Sequence, residues 1–141
     1  MDDPYDLQRF VEAQDAHGTY VRAVEELRRG HKSSHWMWFV FPQIAGLGYS
    51  ATSRRYAISS LGEAEAYLDH PVLGPRLREC AGIVAQTRGR SVVQIFGDVD
   101  AQKLHSSMTL FRRASPDEPL FQQVLDQYFG GRADAGTDQR L

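Results

Sequence analysis

Between turn signals, apolar residues recur along this chain at helical spacing, and no segment shows a sustained alternation of apolar and polar positions. Asp3-Pro4 predicts the first helix start, with Asp3 as N-cap, Pro4 at the first position and Asp6 in the first turn. Leu7, Phe10, Val11 and Gln14 then fall at i, i+3, i+4 and i+7 on one face. His17-Gly18 interrupts, Tyr20, Val24 and Leu27 resume the spacing, and Arg28-Arg29-Gly30 closes the second helix. Ser50 predicts a cap for a helix to about Ser59, and Ser60-Leu61-Gly62-Glu63 reads as a capping box before Ala64, Tyr67 and Leu68. Asp69-His70-Pro71 stops that helix. A longer one follows, with Leu73, Leu77, Cys80, Ala81 and Val84 on its face and Arg88-Gly89 at its end. Ser91–Gly97 suits either a short strand or a short helix. Asp98 or Asp100 predicts the next cap, ahead of Leu104, Ser107, Met108 and Phe111. Ser115-Pro116-Asp117-Glu118 reads as a second capping box with proline at the first helical position. Phe121, Val124, Leu125 and Tyr128 form the last face. The sum is an all-α fold of six to eight helices: one domain over residues 1–129, then a flexible C-terminal tail over 130–141.

One stretch departs from this pattern. His31-Lys32-Ser33-Ser34-His35-Trp36-Met37-Trp38-Phe39-Val40-Phe41-Pro42-Gln43 holds both tryptophans and one of the two lysines, and it is apolar on both faces of a strand or helix. Ser33 or Ser34 suits a cap, and Pro42 disfavours helical geometry at Phe41, so a short helical segment is expected. The polar flanks place it at the boundary of the core, as the wall and rim of a pocket.

Composition narrows the function classes. A 42% apolar and 24% charged chain of 141 residues is ordinary for one soluble domain. The net charge of -2 gives no general reason to expect nucleic acid. The single cysteine, Cys80, makes no intramolecular disulfide and suits a reducing compartment. The acidic N-terminus has no secretory apolar region, and no run approaches the ~18 apolar residues of a membrane span, so a cytoplasmic protein is expected. The histidines show no metal-binding spacing; neither a metal nor a cofactor is expected.

Candidate chemistry sits in three places. Gly46-Leu47-Gly48-Tyr49-Ser50-Ala51 matches the outline of a dinucleotide fingerprint, but Pro42 precedes it and no later βαβ unit follows, so a turn before a helix is the better reading. Arg54-Arg55-Tyr56 lies one turn from that helix start, where the arginines suit a phosphate or carboxylate. Asp100, Lys103, Ser106 and Ser107 share one side of a later helix, and two mid-helix serines suggest close packing or hydrogen bonding. Trp36 and Trp38 are core residues or an aromatic face for a planar ligand; their indole N–H groups need partners when buried.

These residues resemble the DUF1810 family. The likeness rests on Lys32 through Gln43, then Gly46-Leu47-Gly48, Ser53-Arg54-Arg55-Tyr56-Ala57-Ile58, Glu63 to Leu68, His70 to Leu77, Ile95-Phe96-Gly97 and Asp100 to Phe111. It covers about Leu7 to Tyr128, with His105 the one local departure. The resemblance implies a mainly helical cytoplasmic protein with no settled activity. Some members carry a calpain-inhibitor label, which nothing in these residues supports. A looser resemblance is to the NADAR (YbiA-like) group, through Glu63 to Leu68, the long helix after it and the Lys103-led helix. That likeness implies ADP-ribose and N-glycosidic chemistry.

The expectation is therefore a small enzyme binding a phosphate-bearing, nucleotide- or ADP-ribose-derived ligand, with Asp100 or Glu63 polarising water for N-glycosidic hydrolysis. Lys32, Ser34, His35, Trp36, Trp38, Gln43, Ser50, Arg54, Arg55, Tyr56, Lys103, Ser106 and Ser107 are the candidate ligand-binding residues. The alternatives are a non-catalytic binding module using the same pocket, or a protein-interaction domain using the aromatic cluster. Oligomeric state stays open.

Overall fold

The computed structural model describes residues 2–141. Its elements in chain order are α1 (Gln8–Asp15), a 3-10 turn (Ala16–Gly18), α2 (Thr19–Arg28), α3 (Met37–Val40), α4 (Ala51–Arg55), α5 (Leu61–Asp69), α6 (Leu73–Gln86), α7 (Val92–Ala114), α8 (Pro119–Phe129) and α9 (Ala135–Asp138). The fold is all-α, as the spacing predicts. α7 is the longest helix and packs against α5, α8 and α9, while α6 packs against α2, α5 and α8. Phe10, Trp36, Tyr67, Phe111 and Phe121 are fully buried in the single core between them. Among the described residues no helix is long and apolar enough to cross a membrane.

The helix ends show where local signals hold and where they yield. Asp3 does collect the first free N–H groups, accepting from Leu7 at 2.7 Å and Gln8 at 3.0 Å, but a turn at Asp6 delays the helix to Gln8. Ser91 and Gln94 form a reciprocal capping box, which settles the 91–97 stretch as helix. Gly97, at φ 80° and ψ 169°, then divides α7 into two helical segments, before and after it. The helix capped by Ser50 stops at Arg55 rather than Ser59. There the Ile58 N–H donates to Gln43 O and the Ala45 N–H to Ile58 O, an isolated parallel bridge that draws the chain out of helical geometry. α8 begins at Pro119, not Pro116, because Glu118 holds the cap position and its carboxylate binds Arg78. The 130–141 segment, expected to fray, instead docks on α7: Thr137 is buried, and Asp138 takes both forks of Arg113 at 2.9 Å.

Two buried carboxylates tie loops to helices. Glu26 of α2 is 1% exposed and accepts from Ser33 N (2.8 Å), Ser34 N (3.0 Å), Ser34 Oγ (2.5 Å) and Trp36 Nε1 (2.9 Å). Burial alone raises the pKa of this carboxyl; the hydrogen bonds from Ser34, Ser33 and Trp36 outweigh it and hold the value at about 2. Ser33 and Ser34 are thereby committed to Glu26, and α3 starts at Met37 with no side-chain cap. From the other side, Gln14 Nε2 donates to Phe39 O at 2.7 Å, and its Oε1 accepts from Arg76. The second carboxylate, Glu63 of α5, pairs with Arg9 at 3.0 Å and accepts from Ser59 N and Oγ. Arg9 also donates to the carbonyls of Tyr5, Asp6, Arg55 and Ala57, fastening α1 to the 55–63 loop.

The Glu26 cluster predicts an acid-sensitive fold. The folded pKa of about 2 lies below the ~4.3 of an unfolded glutamate, so the unfolded chain takes up the proton first. Stability of about 3 kcal/mol is present above roughly pH 5 and is lost as pH falls towards 2. Urea denaturation between pH 7 and 2.5 will show this acid limb in the wild type. Glu26→Gln will be less stable by about 2–4 kcal/mol at pH 7 and flatter in acid; equal acid limbs would refute the assignment. Arg9→Ala will cost about 3–5 kcal/mol because it strands a buried carboxylate, whereas Glu63→Gln keeps the Ser59 bonds and will cost less.

Candidate functional site

The turn after α2 sends Lys32 inward, and its backbone N–H donates to Ile95 O at 2.7 Å, pinning the turn to the first segment of α7. The Lys32 ammonium sits 2.7 Å from Asp100 Oδ2, donates to Ser34 O at 2.5 Å and lies 4.9 Å above the Trp36 ring. Lys103 is one turn beyond Asp100 on α7. Its ammonium is 3.6 Å from Asp100 Oδ1 and 4.5 Å from the centre of the Trp38 ring. The two lysines of the chain thus converge on one carboxylate, each against one of its two tryptophans. Cation–π attraction and the shared anion hold both ammonium groups in place at low exposure. Lys32 is 7% exposed and closely paired; Lys103 is 19% exposed and held at longer range, so it is the lysine free to meet a ligand.

Lys103 and Trp38 open on a cleft made of two adjoining cavities of about 120 and 280 Å³, which share Gln43, Gly48 and Ser53. Trp38, Tyr56 and Arg54 line the first, and Lys103, Ser106 and Asp134 the second. The loop between them must come close: a Cβ at Gly48 would lie 2.5 Å from Ser53 Cβ, so any side chain there would push α4 away. Ser50 caps α4, its Oγ accepting from Ser53 N at 3.0 Å. Arg54 is exposed and has no ion-pair partner among the described residues, while Arg55 lies against Tyr56 and donates to its hydroxyl. Each of the two cavities therefore has a cationic side chain in its lining, Arg54 in the first and Lys103 in the second, and the first has aromatic walls.

The structure gathers Lys32, Trp36, Trp38, Asp100 and Lys103 into one cluster and puts Trp38, Gln43, Arg54, Tyr56, Lys103 and Ser106 on the cleft. Several expected roles need correction. Trp36 is 0% exposed and its indole N–H is spent on Glu26, so it supports the wall instead of presenting a face. Ser34 is occupied by Glu26 and Lys32, and Ser50 by its cap. His35 is exposed and does not line the cleft. Glu63 is buried in its pairing with Arg9 and Ser59, which removes it from the catalytic pair. Asp100 is held by Lys32 and Lys103, and Glu63 by Arg9. Ser106 donates to Gln102 O and to Asp134, while Ser107 is fully buried and its Oγ finds no partner among the described residues. Cys80 is an inert core thiol, its pKa pushed up to about 12 by burial.

Three contributors were missed from sequence: Glu26, Arg9 and Asp134. Glu26 stands three residues after Ala23 and next to Leu27, on the inner face of α2, a signal that periodicity offers but charge hides. Asp134 caps α9, accepting from Thr137 N and Oγ1, and reaches Ser106. Its Asp-x-x-Thr spacing is an N-cap pattern inside a segment read as tail. The glycine turn at 46–48 is no dinucleotide site: it leads into the five-residue α4, with no sheet among the described residues beyond the Ile44–Ile58 bridge.

The chain is similar over nearly its full length to the conserved hypothetical protein Rv1873 from Mycobacterium tuberculosis, whose crystal structure it matches with a TM-score of 0.95 and 55% sequence identity, covering 99% of this chain and 98% of that one. No curated protein matches it. The model of the protein family of unknown function DUF1810 matches residues 4–141, and the chain belongs to that family.

Proposed function

We propose that the chain is a small-molecule binding protein whose cleft takes a phosphate-bearing ligand with a planar group, of the nucleotide or ADP-ribose class. The observation that supports this reading is that Arg54 lines one and Lys103 the other of two adjoining cavities, with Trp38 and Tyr56 on the wall of the first and Lys103 against the Trp38 ring. An aromatic face attracts a base or other flat group, and the two cations suit phosphate oxygens. Gln43, shared by both cavities, supplies a directional amide between them.

The same geometry favours binding over N-glycosidic hydrolysis. A general base must reach the water or leaving group it serves. Asp100 lies between two ammonium groups and Glu63 is buried away in an ion pair, so neither carboxylate stands free at the cleft. Asp100 acts instead by positioning Lys103. The protein-interaction reading loses its anchor, because Trp36 is enclosed. A reducing, cytoplasmic setting suits the buried, unpaired Cys80.

Calorimetry and thermal shift with ADP-ribose, NAD, nucleotides and sugar phosphates test the proposal. At least one will stabilise the wild type. Trp38→Ala will weaken that ligand by about 1–3 kcal/mol, the worth of an aromatic–base stack. Lys103→Gln and Arg54→Gln will each weaken phosphorylated ligands more than their dephosphorylated counterparts. Asp100→Asn will reduce affinity by loosening Lys103. No stabilisation by any of these compounds would overturn the reading. Turnover of an N-glycosidic ligand that Asp100→Asn abolishes while sparing affinity would replace it with the hydrolase.

A further inference from the structure

A second charged concavity lies outside this cleft. The C-terminal end of α2 and the connection from α6 to α7 enclose an open groove of about 600 Å³. Arg28, Arg29, Arg88 and Arg90 all line it, four of the fourteen arginines in a chain whose net charge is -2. No carboxylate and no aromatic side chain joins them in the lining. Among the described residues, the ion pair these arginines make is Arg28 with Glu79, at 4.0 Å with both side chains largely exposed, a weak pairing.

Helix capping accounts for part of the cluster only. Arg88 donates to the carbonyls of Ala85 and Thr87 at the end of α6, and cations in general suit helix C-termini. Arg29 has no side-chain hydrogen bond or ion pair among the described residues, and Arg90 donates to Gln94 O alone. Gly30 follows α2 at φ +71°, a conformation that favours glycine, and the Arg90 stem passes over it: a Cβ there would lie 2.9 Å from Arg90 Cδ. Two chain segments thus bring four arginines to one concave surface; Arg88 also donates to Gln127 of α8, and Arg28–Glu79 is the one ion pair any of the four makes among the described residues.

We infer that this groove is a binding site for a compact oligophosphate group, separate from the aromatic cleft. Guanidinium forks match phosphate oxygens bidentately, and several in one concavity suit a ligand carrying several phosphates close together. The absence of an aromatic wall removes base stacking from recognition, so the ligand is read by its phosphates.

Inorganic tripolyphosphate is the probe, titrated into the full chain by calorimetry and thermal shift, with orthophosphate as the comparison arm. Tripolyphosphate will bind at one site per chain, more tightly than orthophosphate and more weakly as salt rises. The Arg29→Gln/Arg90→Gln double variant, its fold checked by circular dichroism, will lose about tenfold or more in affinity. Lys103→Gln and Arg54→Gln will leave tripolyphosphate binding unchanged, which separates this site from the cleft. The inference is overturned by no tripolyphosphate binding, by binding that survives in the double variant, by loss of binding in Lys103→Gln, or by orthophosphate binding equally well.

Discussion

The carboxylate of Glu26 is the constraint on which the central segment depends. A charged group in a nearly solvent-free position is tolerated only when its lone pairs are met, and here four donors meet them. All four come from one short stretch, Ser33 to Trp36, so a single side chain on α2 dictates the path of the chain into α3. The indole bond then fixes Trp36 in the core, and the backbone that follows turns Trp38 outward to the cleft. Without the carboxylate, the amide N–H groups of Ser33 and Ser34 and the indole would lie inside with no acceptor.

The lysine cluster is built on that path. Lys32 precedes the Glu26-bound serines; its backbone N–H binds Ile95 O of α7 and its ammonium meets Asp100 on the same element. Asp100 in turn steadies Lys103, which faces the cleft. The order of dependence is Glu26, the 33–36 turn, Lys32, Asp100 and Lys103. Most of the polar residues around the cluster are therefore spent on structure, and the groups left to meet a ligand are few: Lys103, Arg54, Gln43 and the faces of Trp38 and Tyr56.

Much of the fold was legible because helices announce themselves locally. Apolar residues at i, i+3, i+4 and i+7 marked the buried faces of α1, α5, α6 and α8, and Phe10, Tyr67, Leu77 and Phe121 are indeed interior. Trp38, Lys103, Asp100 and Arg54 were legible as candidates because charged and aromatic residues clustered in short stretches. Ser91–Gly97 stayed ambiguous because its β-branched composition competes with the Ser91–Gln94 capping box, and the missing partner strand decides for helix. Glu63 misled because a carboxylate in a capping box looks exposed, whereas Arg9, 54 residues away, draws it inward.

The chain's own residues were enough to specify an all-helical domain and the densest aromatic stretch as its centre, since periodicity, caps and breakers act over a few residues. The tertiary structure alone decided which polar groups are spent and which are free. Burial of Glu26, the pairing of Glu63 with Arg9, the convergence of Lys32 and Lys103 on Asp100, and the docking of 130–141 on α7 all join residues distant in sequence or hidden by their charge. A carboxylate's role is set by the donors and cations that reach it in space, and no local pattern encodes that distance.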